Sequence, residues 1–319
     1  MEITWEATIG SRAREYLRPG GKGIFLGVFS SSFYCRIEGK GVLLFHKASY
    51  GTIPFGVGCD DLESLMAILR PVSDEAVLCR DLELFIPSTD IRLILRPHIP
   101  HYTSGYECTG EALLSKQEIS RNIVQAEAIL GRRKESVLEE IFCLLGAASG
   151  NCPGRRPPRV GDLWNIAPLD MLLRSLCLGD CASVELALNR LIGLGTGLTP
   201  TMDDVLTGLA YIFSFLERNG RQGLPSAGLF LGLISGGCHK RTSEISGAYL
   251  LSAARGEMFS ILEDAAISLL LAGDDHGLAR KVESLLAIGS DSGGNMLAGM
   301  LLGVIIYCDS VNMIHSVSK

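Results

Sequence analysis

Two adjacent carboxylates, Asp203 and Asp204, close the stretch GLGTGLTPTMDD at residues 193–204. The glycines, Gly195 and Gly197 among them, free backbone N–H groups that suit an anion. Two aspartates repel one. The mixture fits a ligand bearing both oxygens and N–H groups, or an anion bridged to the aspartates by Mg2+. A plainer account also covers these residues. Thr199–Pro200 is a helix start, with a hydroxyl for the N-cap and proline at the first helical position. Asp203 and Asp204 then complement the helix dipole by roughly 0.3–1 kcal/mol. Along that helix Val205, Leu209, Ile212 and Leu216 form a buried stripe, flanked by a small polar stripe of Asp203, Thr207, Ala210 and Ser214.

A second loop of the same kind, IGSDSGGNMLAG at 288–299, places Ser290, Ser292 and Gly293 before Asn295 and another apolar helix. Asp204-Val-Leu-Thr-Gly208 and Asn295-Met-Leu-Ala-Gly299 share one spacing, with a carboxylate or amide at the helix start and glycine a turn later. Two helix N-termini of this type predict a paired cradle for a carboxylate or phosphate. The SDSGG run resembles the surroundings of a trypsin-like serine, but the helical pattern around it excludes that chemistry.

A third cluster, HKRTSEIS at 239–246, puts Thr242 and Ser246 four apart on one helical face, just after His239, Lys240 and Arg241. It reads either as an anion site, or as cations complementing one helix C-terminus while Thr242 caps the next helix. The segment KASYGTIPFGVGC, 47–59, reads as a loop of turns. His46, His98, His101, His276 and His315 stand in no catalytic arrangement.

These loops need elements to hold them. The chain has 319 residues, 47% hydrophobic and 20% charged, enough for a large core and two domains. The first, 1–110, is strand-rich: GIFLGVF, SFYCRIEG, GVLLFHKA, EAVLCRDLELFIP and IRLILRP predict a small barrel or sandwich, with a helix near 61–69. The second, 111–319, carries the glycine loops and has the helical period, including ESVLEEIFCLLGAA at 135–148, around a Pro- and Arg-rich loop at Asn151–Asp162. Helices are expected near 164–178, 182–192, 203–218, 224–237, 242–254, 257–272, 276–288 and 294–307. The class is α+β, a strand-rich barrel or sandwich followed by an all-helical domain. No βαβ alternation supports a dinucleotide fold.

The net charge of −6 argues against a nucleic-acid partner. The ten cysteines include no Cys-x-x-Cys and read as free thiols of a cytoplasmic protein. The N-terminus lacks a signal-peptide pattern. The uncharged Ser292–Cys308 stretch reads as a buried helix rather than a membrane span, its Gly299-x-x-x-Gly303 allowing close helix approach.

GLGTGLTPTMDDVLTG, TSEISGAYLLSAARGE and GSDSGGNMLAGMLLG, in this order, resemble a bacterial family typified by AllH, a subunit associated with oxamate carbamoyltransferase in anaerobic allantoin breakdown. The resemblance runs from about Leu191 to Gly303. The family carries Ser-Gly where this chain has Thr201–Met202, and Asp where it has Asn295. It implies a carbamoyltransferase subunit that binds a small carboxylate or amide substrate and phosphate, in a hetero-oligomer with other subunits. The residues expected to act are Asp203 and Asp204 as catalytic groups. Gly195, Gly197, Thr199, Lys240, Arg241, Thr242, Ser246, Ser290, Ser292, Gly293 and Asn295 would bind substrate. No cofactor is called for, beyond Mg2+ if the aspartates hold one. Two other readings stand beside it: a non-catalytic metabolite-binding or scaffold subunit, and a Mg-dependent hydrolase using the Asp203/Asp204 pair.

Overall fold

The computed structural model describes residues 1–29, 31–70, 74–97, 113–132, 163–220, 226–271 and 275–317. The helix expected at 135–148, the Asn151–Asp162 loop, His98, His101 and the domain boundary at 110/111 lie outside these residues, as do the side chains of His276 and His315. The chain divides into two compact units, Met1–Gly105 with Glu257–Glu263, and Tyr106–Gly256 with Asp264–Lys319.

The first unit is an eight-stranded closed barrel, β1 (Glu2–Ile9), β2 (Lys22–Val28), β3 (Ser32–Ile37), β4 (Gly41–Lys47), β5 (Gly56–Cys59), β6 (Ala76–Cys79), β7 (Glu83–Ile86) and β8 (Ile91–Pro97). Their order around the barrel is β1-β5-β4-β3-β2-β6-β7-β8, and β8 closes on β1 in parallel, Glu2 opposite Arg92 through Ala7 opposite Pro97. Closure leaves no unpaired edge. Short helices α1 (Ser11–Tyr16) and α2 (Leu62–Leu69) accompany the strands, α2 capped by Asp61 accepting from Ser64 N. Alternation sends Ile91, Leu93 and Leu95 inward from β8 and Arg92 outward. Phe33 and Phe45, directly opposite on β3 and β4, stack at 4.2 Å between centroids, and Phe25 joins them at 5.6 Å. Each such ring contributes about 1.5–3 kcal/mol by leaving water. Leu26 forms a bulge in β2, where the register shifts between Phe25 and Gly27. Cys35, Cys59 and Cys79 are buried free thiols, and burial pushes the Cys59 thiol up to about 12, so it stays protonated filler.

The segment expected as loop at 47–59 contains β5, and His46 explains why a glycine-rich strand stands there. A Cβ on Gly56 would come 2.9 Å from His46 Nε2, and one on Gly58 would come 3.3 Å from Cε1. The ring is 1% exposed, faces Tyr50 and Phe259, and donates from Nδ1 to the Lys47 carbonyl at 2.9 Å. Its Nε2 has no hydrogen-bond partner among the described residues.

The second unit is helical: α3 (Lys116–Leu130), α4 (Leu163–Leu178), α5 (Cys181–Leu191), α6 (Thr201–Arg218), α7 (Ala227–Gly236), α8 (Glu244–Ala254), α9 (Ser260–Leu270, whose first residues belong to the barrel unit), α10 (Asp275–Leu286) and α11 (Ser292–Val317). A capping box of Ser115 and Glu118 starts α3, and Asn122 Nδ2 donates to the Ser268 and Leu269 carbonyls at 3.1 and 3.3 Å. No described helix is long and apolar enough to cross a membrane.

Helix α6 differs from its expected one-striped form, because every residue from Met202 to Leu216 is buried. It is the core of the unit. A Cβ on Gly208 would lie 1.9 Å from the Met296 carbonyl oxygen, and one on Gly299 would lie 1.9 Å from that of Val205. The contact is reciprocal: each glycine seats the residue three before the other. Only glycine lets the two backbones touch. Gly303 sits farther along against Leu209 and Ile212 at 3.1 Å. The two helices thus run side by side in the same direction, with their N-termini together.

Candidate functional site

The loop 193–200 turns three times through left-handed backbone, at Gly193 (φ +81), Gly195 (φ +122) and Gly197 (φ +98). The turn folds Leu194 back so that its carbonyl accepts from Met202 N at 3.0 Å, and a Cβ on Gly195 would stand 2.5 Å from Thr201 N. The loop therefore closes onto the first turn of α6. Thr199 is not the expected N-cap. Pro200 occupies that position and no side chain caps the helix. The Thr199 hydroxyl turns instead to Asp204 Oδ2 and to Ser292 Oγ, each at 3.0 Å. A carboxylate is the stronger acceptor, and it draws the hydroxyl away from the backbone. The two glycine loops meet at this contact.

The aspartates face different partners. Asp203, 0% exposed, accepts from Gly193 N at 2.8 Å, from Ser246 Oγ at 2.7 Å and from Thr242 Oγ1. Thr242 is extended just before α8 instead of sharing a helical face with Ser246, and both hydroxyls are spent on one carboxylate. The contradiction between anion-seeking loop and acidic residues resolves within the chain, since a loop donor binds the aspartate ten residues on. Ser243, rather than Thr242, caps α8 by accepting from Ser246 N at 3.1 Å, and its hydroxyl donates to the Leu198 carbonyl at 3.0 Å. Neither Ser243 nor the Gly193 amide was singled out by sequence. Adjacent hydroxyls at 242 and 243 compete for the cap, and their order in the chain does not decide between them.

Asp204, 2% exposed, lies with Thr199 and Ser292. Burial pushes its carboxyl up to about 7, against the Ser292 and Thr199 hydroxyls that hold it down; Asp203 and Asp291 push it further up. Neutral water thus finds it poised between acid and base. Ser292 opens α11, and Gly293 behind it is obligatory, because a Cβ there would meet the Leu285 carbonyl oxygen at 2.0 Å. Asn295 is buried in the same first turn, its N–H bonded to the Asp291 carbonyl at 3.0 Å.

The remaining expected residues stand outside this junction. Arg241 is exposed and holds Asn189, through its side-chain oxygen and, at 3.3 Å, its carbonyl. Lys240, Ser290, Gly195 and Gly197 are exposed. His239 donates from Nδ1 to the Ile234 carbonyl at 2.7 Å, closing the end of α7 as the plainer account expects. Among the described residues, no group of three His, Cys, Asp or Glu side chains is placed to hold a metal ion.

The model of a family described as oxamate carbamoyltransferase subunit AllH matches residues 191–304. That segment is AllH-like. The AllH-like segment holds the whole junction: both glycine loops, Thr242 to Ser246, and the Gly208–Gly299 seat. It leaves out β1 through α5 up to its last residue. No curated protein and no solved structure matches the chain.

Proposed function

We propose that the chain is a cytoplasmic subunit of a carbamoyltransferase-type enzyme, oxamate carbamoyltransferase-like, working with other subunits. It would bind a small carboxylate or amide substrate and phosphate where the glycine-rich N-termini of α6 and α11 meet. In this reading the chain has a strand-rich domain, 1–110, and a helical domain, 111–319, that carries the site. The observation that supports it is the coincidence of the AllH-like segment with the Thr199–Asp204–Ser292 junction. Transfer between a ureido acid and phosphate breaks a C–N bond and forms a C–O bond. The phosphate proton ends on nitrogen. A carboxyl near neutrality suits that proton, holding it in one direction and accepting it in the other. The Mg-dependent hydrolase reading has no support in the geometry, because Asp203 and Asp204 face different elements.

The test is a carbamoyl-transfer assay on the full chain with its partner subunits, using oxamate and carbamoyl phosphate, and phosphate in the reverse direction. Transfer that is lost in Asp204→Asn is expected. Absence of transfer in the intact complex would reject the reading. The scaffold reading keeps one observation of its own, the saturation of Asp203 by the chain's own donors. It requires Asp204→Asn to leave the complex fully active.

A further inference from the structure

Asp204 is buried too deeply to touch a ligand, at 2% exposure, while Thr199 and Ser292 are half-buried in front of it. Any proton it exchanges must pass through one of those hydroxyls. Thr199 donates its single proton to Asp204 Oδ2, so its oxygen can only accept from Ser292. With Asp204 ionised, Ser292 must divide its one proton between Thr199 and the carboxylate. With Asp204 protonated, each of the three contacts has a proton of its own. The three contacts therefore leave room for one stored proton, which burial favours and the two hydroxyls oppose. Ser292 also faces a position that carries no side chain. A Cβ on Gly289, φ +62, would stand 3.5 Å from Ser292 Oγ, and that position is empty of side chain. Ser292 further lies at the N-terminus of α11, where negative charge on its oxygen is favoured.

We propose that Ser292 is the catalytic residue of this junction, a hydroxyl that passes a proton between the substrate nitrogen and the carboxyl of Asp204, with Thr199 positioning both. The proposal rests on the carbamoyl-transfer reading. As the C–N bond forms and the carbamoyl C–O bond to phosphate breaks, the nitrogen gives its proton to Ser292 Oγ and the Ser292 proton moves to the Asp204 carboxylate. The departing phosphate then takes that proton from Asp204, so the nitrogen loses one proton, phosphate gains one, and serine and aspartate are unchanged. Bond cleavage runs the same path backwards. The charged groups acting on Asp204 are the carboxylates of Asp203 on its own helix and Asp291 before α11, and both favour retention of the proton.

The experiment compares wild type, Ser292→Ala, Ser292→Thr and Thr199→Val in the assembled enzyme. It reads kcat, KM and the pH–rate profile, and follows the aspartate carboxyls by 13C NMR. Ser292→Ala should lower kcat by about a hundredfold or more with little change in KM. Ser292→Thr should restore most of it. The Asp204 carboxyl should titrate above about 7 in Ser292→Ala, because the lost hydroxyl stabilised its charge. Thr199→Val should move the same titration upward. Normal kcat in Ser292→Ala beside an inactive Asp204→Asn would overturn the proposal and leave the carbamoyl-transfer reading standing. Equal losses in Ser292→Ala and Ser292→Thr would overturn it too, by showing a packing role. If Ser292→Ala does not fold, Ser292→Cys takes its place, and a pH–rate limb unmoved by the thiol counts against the proposal. A wild-type complex without transfer removes the underlying reading instead. In that case an Asp204 titration that ignores Ser292 rejects the proton ring separately.

Discussion

The barrel and the helical unit each bury a titratable group that burial shifts toward its neutral form, His46 and Asp204, and the two are treated in opposite ways. His46 is held neutral, pushed down to about 4 by burial, with one ring nitrogen unpartnered among the described residues. Asp204 is pushed up to about 7, yet two hydroxyls attend it. The barrel sets its group among packed rings and glycines and gives it nothing to exchange with. The helical unit sets its group behind hydroxyls that reach toward solvent. Burial alone makes a shifted group. Burial with a hydrogen-bonded exit makes one that can act.

Both regions hold glycines where backbones nearly touch, but only in the helical unit is the contact mutual between two helices. A Cβ on Gly10 or Gly23 in the barrel unit would lie 2.1 Å from a carbonyl oxygen, and one on Gly208 or Gly299 would lie 1.9 Å from one. Gly208→Ala or Gly299→Ala should cost roughly 4 kcal/mol or more in denaturant unfolding, above the usual 1–3 for an inserted methyl, because backbone must move. Gly303→Ala meets only flexible side chains at 3.1 Å and should cost under about 1 kcal/mol. Equal effects at the three glycines would remove the backbone seat as an explanation. Next, Asp203→Ala strands the Gly193 amide and two hydroxyls, that of Ser246 buried, and should cost roughly 3 kcal/mol. Hydrogen exchange should then speed up in the first turns of α6 and α8 while β4 stays protected.

The pH dependences come after these in size. The raised Asp204 carboxyl gives the folded state an extra proton between about 4 and about 7, so its contribution to stability falls as pH rises through that window. Asp204→Asn should therefore be more stable than wild type at pH 8, by roughly 2–3 kcal/mol, and little different at pH 4. The lowered His46 works the other way. The unfolded chain binds its proton first, so stability is lost as pH falls from 6.5 to about 4. His46→Phe should remove about 2 kcal/mol of that acid loss. Wild type should show a flatter stability profile across this range than either variant, measured by exchange protection in β4 and α6 over a pH series. Parallel slopes in the two variants would break the comparison.

Sequence and structure agree where a local rule governs. The hairpin at Gly39–Gly41, the helix at 62–69, and the start of α6 after a glycine loop follow from residue type alone. Spacing brought Thr242 and Ser246 together, although Thr242 is extended and stands before the helix rather than on its face. What the two hydroxyls held was not legible, because Asp203 lies 39 and 43 residues away along the chain. β1 was missed because its outward positions are polar, as Glu2, Thr4 and Glu6 show. β5 was missed because Gly56 and Gly58 have no strand propensity of their own and serve His46. The shared spacing of Asp204–Gly208 and Asn295–Gly299 was visible as a pattern. Its meaning, a mutual seat, required seeing two helices at once.

That seat has a further consequence. The gap between the Thr199 and Ser292 hydroxyls is gauged by two missing side chains a turn or two below them, not by the loops that present them. Residues of the loops and of the two first turns, Thr201 among them, can therefore change without altering the gauge. A chain built this way separates its ruler from its surface: the loops can vary while the spacing of the two hydroxyls stays fixed.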